Sequence, residues 1–345
     1  MIVDLFSKFS FSMTKYIVHP IFSFLFVLLK FEQCHTIPSS DLPHSVKHVI
    51  HIGIDGLNPF CISNSSNGGR NILLRLGKQG SGTLVNARTI IETVSAPGWV
   101  SIFCSMSSPA SGVHSNMWAP PWPPFNSISE ITPITGNANP LPTIFSVLKS
   151  KNRYIQTAMM HSWKWLSYLG NLATPKSVDY ESDFSLCDPY PDRCVTNAAI
   201  KYLQSNINVT LPSYTFVYYH SVDTAGHRYG WCGNEYEKHV GNVDNMIGEI
   251  LNVVESIKGI NDSYLVVLTS DHGGRPGQYN HGEANDECIK VPVLFKGPHV
   301  RRNYHISSPI SNLDITPTIA YLMGYQDPYW SWEGKVIAEI LDENY

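Results

Sequence analysis

Ser221-Val-Asp-Thr-Ala-Gly-His227 and Thr269-Ser-Asp-His-Gly-Gly274 are the most informative stretches of this chain. Each places an aspartate and a histidine just after a hydrophobic run rich in β-branched and aromatic residues, Tyr214–Tyr219 in the first case and Tyr264–Leu268 in the second. Such runs are typical of buried strands. Imidazole nitrogens suit zinc, and a carboxylate neutralises its charge. The two stretches therefore indicate a metal-binding site at strand ends.

Two further segments carry the same kinds of side chain. His48-Val-Ile-His-Ile-Gly-Ile-Asp-Gly56 is an apolar run that ends in Asp55, and Tyr279-Asn-His-Gly282 places His281 in a glycine-rich loop. Taken alone, an Asp-Gly pair is typical of a turn, and a single histidine is typical of the surface or of a hydrogen-bonded core position. The ordered set of four segments is what indicates one shared site.

Runs with strand character alternate along the chain with segments of helical periodicity, which predicts an α/β fold whose mostly parallel sheet has helices on both faces. Sites in such sheets form outside the carboxyl ends of the strands, so the three aspartates are expected to converge there. The predicted strands are Val46–Ile54, Thr83–Ala87, Ile155–Met160, Tyr214–Tyr219, Ser263–Thr269 and Val291–Phe295. The predicted helices are Asn71–Gly77, one from Pro97, Pro142–Lys151, Ala198–Asn206, Glu235–Ile257, and one capped by Asp314 that runs through Leu322 before Gly324.

These residues and segments resemble the alkaline phosphatase superfamily and, within it, the type I phosphodiesterase/nucleotide pyrophosphatase branch. The resemblance covers most of the chain from Lys47 to Leu341. It implies an alkaline-phosphatase-like three-layer sandwich with a mostly parallel central sheet. It also implies a site for two zinc ions; three histidine ligands favour zinc, and manganese is the alternative.

The resemblance assigns the metal ligands residue by residue. One ion is held by Asp55, Ser95, Asp271 and His272, and the other by Asp223, His227 and His281. Asp223 and His227 are expected to reach the same ion from a turn. The remaining histidines are assigned to structure or surface, and His114 is the one that borders the predicted nucleophile helix.

The predicted nucleophile lies in Glu92-Thr-Val-Ser-Ala-Pro-Gly-Trp99, where a strand gives way to a helix. Free amides and the macrodipole at a helix N-terminus favour a phosphate group there. A serine hydroxyl at its ordinary pKa is a weak nucleophile, and a metal ion can activate it. In the resembled family the nucleophile stands two residues before the proline of this turn. That residue is Ser95 here, with Thr93 as the alternative.

Two positions beside the nucleophile depart from patterns found in the superfamily. Gly98 stands where nucleotide pyrophosphatases place an asparagine that helps to hold a phosphate oxygen, so nucleotide specificity does not follow from the resemblance. Trp99 stands where sulfatases need the arginine of Cys/Ser-x-Pro-x-Arg, so the sequence disfavours a sulfatase.

Length and composition predict one large catalytic domain over residues 45–345. The chain has 345 residues, 43% of them hydrophobic and 15% charged, and a net charge of −4. No long run of lysine or arginine is present, which argues against duplex nucleic acid and anionic membranes as partners. We predict a small phosphodiester or nucleotide-like substrate and no stable protein partner. Ala119–Pro140, which is rich in proline, is predicted to be a long surface loop.

Residues 1–35 are predicted to be a signal peptide, with a signal anchor as the alternative. The apolar run Ile21–Leu29 is flanked by Lys15 and Lys30 and is too short to span a bilayer. Three N-glycosylation triplets, which begin at Asn64, Asn208 and Asn261, also suit an exported chain.

The cysteines agree with export. Seven are present, and six remain if Cys34 is lost or unpaired. Six cysteines allow about fifteen pairings, so we predict only that Cys187 and Cys194 close a small ring. Cys104, in an apolar helix, is expected to be a buried thiol. The prediction is therefore a secreted or lumenal protein.

Together these features predict a two-zinc phosphoric-ester hydrolase that acts on phosphodiesters through Ser95. A phosphomonoesterase that uses the same site is the first alternative, although no arginine lies near Ser95 in sequence to match the extra charge of a monoester. A catalytically silent binding protein is the second, although no metal ligand is missing. A phosphoethanolamine-type transferase is the third, although its relatives usually carry several membrane spans.

Overall fold

The apolar run that ends at Asp55 forms a central strand of the main sheet, buried along its whole length. A computed structural model of the chain describes residues 46–63, 71–119, 141–171, 177–260 and 263–342. The predicted signal peptide or anchor, Cys34 and residues 120–140 of the predicted loop lie outside these ranges. The predicted domain boundaries therefore stay a prediction.

The strands in chain order are β1 (His48–Ile54), β2 (Ser81–Thr83), β3 (Ala87–Arg88), β4 (Gln156–His161), β5 (Tyr180–Asp183), β6 (Ser213–Tyr219), β7 (Tyr264–Thr269), β8 (Val293–Lys296), β9 (Tyr304–His305) and β10 (Ile310–Ser311). The main sheet has the order β5-β4-β6-β1-β7-β8-β2-β9, and β3 pairs with β10 separately. In the sheet, the five adjacent strands β5, β4, β6, β1 and β7 are all parallel. The next strand, β8, runs antiparallel to both β7 and β2. The sheet is therefore mostly parallel, as predicted.

The α-helices in chain order are α1 (Pro59–Ser63), α2 (Asn71–Gln79), α3 (Ser95–Cys104), α4 (Ser108–Ser111), α5 (Ile144–Lys151), α6 (Ser167–Asn171), α7 (Pro191–Asn206), α8 (Ser221–Tyr229), α9 (Asn234–Ser256), α10 (Asp286–Ile289) and α11 (Ile315–Leu322). They cover both faces of the sheet, and each face has its own apolar layer. One layer joins the sheet to α3, α5 and α11, and the other joins it to α2, α7, α8 and α9. Strands buried on both faces need continuous apolar sequence, which explains the unbroken hydrophobic runs.

The strand predicted for Thr83–Ala87 is two short strands instead of one. The Thr83 hydroxyl accepts hydrogen bonds from the backbone amides of Val85 and Asn86, at 3.1 and 2.9 Å. A threonine side chain that bonds the backbone two and three residues later favours a turn over a ladder. The chain therefore leaves the main sheet after Thr83 and pairs with β10 from Ala87 onward.

Asp314 stands at the N-terminus of α11, but its side chain does not cap that helix. Ser311 caps the preceding 3-10 turn, Asn312–Asp314, by accepting from the amide of Leu313 at 3.2 Å. The Asp314 carboxylate accepts from the amides of Ser311 and Lys335, each at 2.8 Å. Asp314 thus ties the start of the turn to a distant segment.

Two disulfides link cysteines of the described chain. The predicted ring between Cys187 and Cys194 is confirmed, and a second bridge joins Cys61 to Cys232 over a sequence separation of 171 residues. Cys104 and Cys288 are buried free thiols. Among the described residues, no helix combines the length and the apolar character needed to cross a membrane.

Candidate active site

The three aspartates converge at one edge of the sheet because β1, β6 and β7 are adjacent parallel strands. Asp55 follows β1 directly, and Asp271 follows β7 after one serine. Asp223 lies in the first turn of α8, the helix that begins just after β6. We predicted that Asp223 and His227 reach one ion from a turn, but the segment that carries them is helical, and they are an i, i+4 pair on one face of that helix. That they bind the same ion stays a prediction.

Asp55, Asp271 and His272 form the first group of candidate metal ligands. The Nε2 atom of His272 lies 3.4 Å from Asp55 Oδ1 and 3.3 Å from Asp271 Oδ2. All three side chains are fully buried. These are three of the four residues that the resemblance assigns to one ion.

Asp223, His227 and His281 form the second group. Asp223 Oδ2 lies 3.5 Å from His227 Nε2, and its Oδ1 lies 3.7 Å from His281 Nε2. The two groups touch, since Asp223 Oδ1 is also 4.0 Å from His272 Nε2. The resemblance assigns this same trio to the second ion, and its role as ligands stays a prediction.

Each of the three candidate histidine ligands makes the same kind of hydrogen bond, from its Nδ1 atom to a backbone carbonyl. The Nδ1 atoms of His227, His272 and His281 lie 2.8, 2.8 and 2.6 Å from the backbone carbonyl oxygens of Tyr279, Gly273 and Thr93. A carbonyl only accepts, so each ring donates its proton from Nδ1. Each Nε2 is therefore left as an acceptor aimed into the site, which is how metal-binding histidines are commonly fixed.

Burial and neighbouring charges shift the pKa values of the three site carboxyl groups in different directions. Burial raises the pKa values of Asp223 and Asp271 well above their usual range, and the neighbouring charge of Asp55 raises them further. Burial also raises the pKa of Asp55, but contact with His220 and His272 outweighs it and lowers that pKa below the ordinary value. Burial lowers the pKa of His272 to about 3, so its ring is neutral at pH 7.

These donors fit divalent cations. Within the described part of the chain, Oδ1 of Asp223 and Oδ2 of Asp271 are buried and have no hydrogen-bond partner. Buried carboxylate oxygens are costly unless a cation or a donor faces them. Three imidazole nitrogens with three carboxylates are a donor set typical of zinc.

Ser95 begins α3 and is almost completely buried beside the first group. Its hydroxyl oxygen lies 3.3 Å from His272 Nε2 and 3.5 Å from Asp55 Oδ1. The alternative, Thr93, donates its hydroxyl to the carbonyl of Glu283 at 3.0 Å. Of the two hydroxyls, only that of Ser95 contacts the candidate ligands, which agrees with the predicted nucleophile.

Two aromatic side chains hold the second oxygen of Asp55. Trp99 Nε1 donates to Asp55 Oδ2 at 3.1 Å, and the Tyr218 hydroxyl donates to the same oxygen. These bonds orient the carboxylate so that Oδ1 faces Ser95 and His272. In this chain Trp99 therefore orients Asp55, a candidate metal ligand. Sulfatases have an arginine at the position of Trp99.

Tyr218 and His220 are site residues that our sequence reasoning missed. The Tyr218 hydroxyl lies 2.9 Å from His220 Nδ1, which in turn is 3.7 Å from Asp55 Oδ2. Burial lowers the pKa of His220, but the contact with Asp55 outweighs it and raises that pKa to about 9. Their two-residue spacing at the end of β6 was the available signal, because alternate residues face the same side of a sheet.

Several tryptophans of the described residues lie in the core. Trp99, Trp118 and Trp165 are buried, and Trp122 lies outside the described residues. Trp163 is only partly buried, and its ring is parallel to that of His220 within 4° at a centroid distance of 6.1 Å. His114, which borders the nucleophile helix in sequence, is half exposed, and its Nδ1 atom lies 3.7 Å from Glu92 Oε1.

Two glycines allow close packing at the site. Gly56 has φ +64°, and a Cβ atom there would lie 2.8 Å from Asp223 Oδ1. Gly98 packs against Asp271, and a Cβ atom there would lie 2.8 Å from its carbonyl oxygen and 2.9 Å from its Cβ. An asparagine at position 98 would therefore displace a candidate ligand. This explains in physical terms why glycine stands at that position.

Histidines, and not lysine or arginine, are the basic residues that pair with the site carboxylates in the described part of the chain. Across the described part of the chain, the residues that pair with Asp55, Asp223 and Asp271 are histidines, and neither lysine nor arginine pairs with them. Arg88, the arginine nearest to Ser95 in sequence, pairs instead with Asp286 at 3.5 Å.

Comparisons with known proteins support the same family. A family model described as Type I phosphodiesterase / nucleotide pyrophosphatase matches residues 49–318. The chain is 32% identical over 154 residues to steryl-sulfatase of Homo sapiens, which covers 38% of this chain and 26% of that protein. It is 30% identical over 92 residues to choline-sulfatase of Rhizobium meliloti (strain 1021), which covers 26% of this chain and 18% of that protein. The matches thus span less than two thirds of either relative.

Solved structures share the fold. The structure of Ps i-CgsB in complex with k-i-k-neocarrahexaose matches with a TM-score of 0.64 and 18% identity, covering 85% of this chain and 75% of that one. The structure of BT4656 in complex with D-glucosamine-2-N,6-O-disulfate matches with a TM-score of 0.62 and 15% identity, covering 87% and 80%. These matches confirm the predicted α/β fold with its mostly parallel central sheet.

Proposed function

Because this chain belongs to the type I phosphodiesterase/nucleotide pyrophosphatase family, within the alkaline phosphatase superfamily of hydrolases, we propose that it hydrolyses phosphodiesters with Ser95 as nucleophile and two zinc ions as cofactors. One observation carries the proposal. The Ser95 hydroxyl lies against the Asp55–Asp271–His272 group, and the Asp223–His227–His281 group adjoins it.

The two groups suit an in-line displacement. Asp55, Asp271 and His272 would hold one ion and Asp223, His227 and His281 the other. Bound there, the ions would lower the pKa of the attacking hydroxyl and offset charge on the ester oxygens. Manganese is the alternative metal, and three histidine nitrogens among the candidate ligands favour zinc.

The side chains around Ser95 prepare it for attack. The N-terminus of α3 places the hydroxyl where the helix dipole favours an anionic ester. The Nε2 atom of His272, one of the candidate donors to the first ion, lies 3.3 Å from the hydroxyl oxygen, so the hydroxyl adjoins the group that would hold that ion. Ser95 Oγ would lose its proton and bond to phosphorus as the bond to one ester oxygen breaks, and that oxygen would leave with a proton as an alcohol. The other ester group would stay on the phosphorus bound to Ser95. Water would then cleave the bond between Ser95 Oγ and phosphorus, which releases a phosphomonoester and restores the hydroxyl.

The surroundings favour an ester with a single negative charge. A phosphomonoester at pH 8 carries about one charge more than a phosphodiester, since its second pKa is near 6. A site that prefers the monoester needs further positive charge, and neither lysine nor arginine pairs with the carboxylates of the described site. This argues against the phosphomonoesterase alternative.

A sulfate monoester is the second candidate substrate, because the chain is similar in sequence to proteins named as sulfatases. Steryl-sulfatase and choline-sulfatase are both named as sulfatases. A sulfate monoester also carries one negative charge, so charge alone does not separate it from a phosphodiester. Our sequence argument against a sulfatase rests on Trp99, and the similarity to these proteins weakens that argument.

The deciding experiment compares kcat/KM for bis-p-nitrophenyl phosphate, p-nitrophenyl phosphate and p-nitrophenyl sulfate, which share one leaving group. Zinc and enzyme concentrations are held constant, and a nucleotide ester is included. We expect the diester to be turned over at least about tenfold faster than either monoester, a difference of about 1.4 kcal/mol in transition-state binding. A tenfold advantage of the phosphate or sulfate monoester would replace the diester as substrate.

We also propose that the protein is exported. The two disulfides agree with an oxidising compartment, and Asn208 of one glycosylation triplet is exposed. Expressed in animal cells, the chain should reach the medium or the lumen and lose mass on deglycosylation. A cytosolic, unglycosylated product that retains Met1 or Met13 would contradict export.

A further inference from the structure

A basic cavity lies at the end of the sheet opposite the candidate active site. Its volume is about 640 Å³, and its lining includes Arg75, Lys78, Lys296 and Arg302. Arg75 and Lys78 lie one turn apart on α2, Lys296 ends β8, and Arg302 lies in the loop before β9. Four cations from three separate segments thus line one hollow. We call it the basic cavity.

The basic cavity is separate from the candidate active site. Tyr264 lines it and begins β7, whereas Asp271 follows the other end of the same strand. A strand of this length covers about 20 Å at about 3.3 Å per residue. A small molecule that contacts Ser95 therefore cannot fill the basic cavity.

Positive charge in the basic cavity is only partly matched. Glu255 is the carboxylate of its lining, against four cations. Lys296 Nζ lies 3.5 Å from Glu255 Oε1, and the Tyr264 hydroxyl lies 3.5 Å from the same oxygen. Glu255 is thus shared between Lys296 and Tyr264. The lining keeps an excess of positive charge in a protein whose net charge is −4.

Arg75 gives an independent sign of a missing acceptor. Its Nε and Nη2 atoms are both buried, and neither has a hydrogen-bond partner among the residues that the structure describes. Buried donors of a charged group are costly when they are left unpaired. Nε–H and an Nη–H on the same edge of a guanidinium donate in parallel, a geometry that matches two oxygens of a carboxylate, sulfate or phosphate.

We propose that the basic cavity binds a tetrahedral oxyanion, the phosphate or sulfate group of a free ion or of a small sugar ester, with Arg75 as its main anchor. Arg75 would donate two hydrogen bonds to one face of the group. Lys78, Lys296 and Arg302 would surround its remaining oxygens. The volume of the cavity exceeds that of a single oxyanion, so an attached sugar also fits. This proposal does not depend on the substrate of the active site.

The test is calorimetric titration of the metal-loaded protein at constant ionic strength. The ligands are inorganic phosphate, inorganic sulfate, glucose 6-phosphate and glucosamine 6-sulfate, and the proteins are wild type, Arg75→Gln and Lys238→Gln. Lys238 is an exposed lysine that pairs with Glu235 far from the cavity in sequence, which makes it a matched charge-removal control. We expect saturable binding of at least one ligand, weakened tenfold or more by Arg75→Gln and unchanged by Lys238→Gln. Tighter binding of the sugar esters than of the free ions would show that the cavity binds a phosphate or sulfate group attached to a sugar.

Any binding of oxyanions at the active site is separated by inhibition. The inhibition constant of phosphate against bis-p-nitrophenyl phosphate should be the same in wild type and Arg75→Gln, because the cavity is distant from Ser95. Arg302→Gln, in an exposed loop position, gives a second variant if Arg75→Gln does not fold. The proposal would be overturned if wild type and both cavity variants bound the ligands with equal affinity. It would also be overturned if wild type showed no saturable binding of any of the four ligands up to roughly 20 mM ligand. Neither result would affect the proposed hydrolysis.

Discussion

The Nε2 atoms of His227 and His281 face each other at 3.1 Å, although each ring already donates its Nδ1 proton to a backbone carbonyl. With both Nδ1 protons donated to carbonyls, the two Nε2 lone pairs point at one another unless a proton or a metal ion lies between them. Such an arrangement is unfavourable unless a cation is shared between them. The relationship between these two rings is thus the most direct structural argument for metal binding.

We expect purified protein to contain about two zinc ions per chain. His281→Ala should lower the zinc content by about one ion and reduce turnover strongly, because one of three ligands in its group is lost. Elemental analysis and activity on bis-p-nitrophenyl phosphate, before and after a chelator, provide the measurement. His305→Ala, which removes an exposed histidine of β9, is the control. One calcium ion per chain without a transition metal would contradict the two-zinc interpretation.

Ser95→Ala should remove nearly all turnover, by about a thousandfold or more, while zinc content and thermal stability stay close to wild type. The hydroxyl is small, and the six Asp and His donors remain. Thr93→Ala is the matched control, since Thr93 is also buried but bonds the carbonyl of Glu283. Near-normal rates in Ser95→Ala with loss in Thr93→Ala would show that we chose the wrong hydroxyl.

Trp99→Phe should weaken zinc binding or turnover by about 10- to 100-fold, the usual effect of losing a partner that orients a ligand. The change removes the donor to Asp55 Oδ2 and keeps an aromatic ring. Trp165→Phe is the control, because its indole donates to the Trp118 carbonyl at 2.9 Å from a similarly buried position. Both variants should lose some stability. Equal zinc affinity in the two would assign Trp99 a packing role alone.

The fold and the convergence of the aspartates could be predicted because both follow from local signals. Continuous apolar runs indicate strands buried on both faces, and Asp55 and Asp271 lie within two residues of strand ends. Because the strands are parallel and adjacent, the sheet brings these carboxylates together without further information. The grouping of Asp223 with His227 came from the resemblance, and the helix that spaces them was not among the predicted elements.

The residues that we missed depend on contacts between segments distant in sequence. Tyr218 reaches Asp55 across 163 residues, and Trp99 reaches it across 44. Neither bond has a pattern in the local sequence. The break after Thr83 was also missed, because it depends on the Thr83 hydroxyl accepting from the amides of Val85 and Asn86 in place of a strand ladder. The charge of His220 is set by Asp55, a neighbour in space but not in sequence.

Glu339 should make stability depend on pH below about 4.5. Burial raises its pKa, but hydrogen bonds from the backbone and side chains of Ser307 and Ser308 outweigh this and lower it to about 2. A carboxyl whose pKa is lower in the folded state stabilises the protein above its unfolded pKa, and this contribution is lost as pH falls towards the folded pKa. Glu339→Gln should therefore lower Tm at pH 7.

The difference in Tm between wild type and Glu339→Gln should shrink as pH falls from about 4.5 towards 2, where the carboxylate becomes protonated. Glu235→Gln is the control, because Glu235 pairs with Lys238 on an exposed helix face, and loss of such a surface pair should have little effect on Tm at any pH. Thermal unfolding at several pH values gives the measurement. A Tm difference that stays constant from pH 7 to pH 3 would show that charge on Glu339 is not the cause.

Gly98→Ala should reduce zinc content and turnover, because the added methyl group would lie 2.8 Å from the carbonyl oxygen of Asp271 and must displace it. Gly98→Asn, which restores the residue found in nucleotide pyrophosphatases, should be worse, since a larger side chain needs the same space. Gly77→Ala is the control, with Leu294 at an ordinary contact distance of 3.7 Å, and it should raise stability by about 0.5–1 kcal/mol as helix propensity improves. Zinc content, kcat/KM and Tm measured together separate loss of a ligand from general unfolding. If Gly98→Asn binds zinc normally and improves turnover of a nucleotide ester, the packing of Gly98 against Asp271 is not what keeps asparagine out of this position.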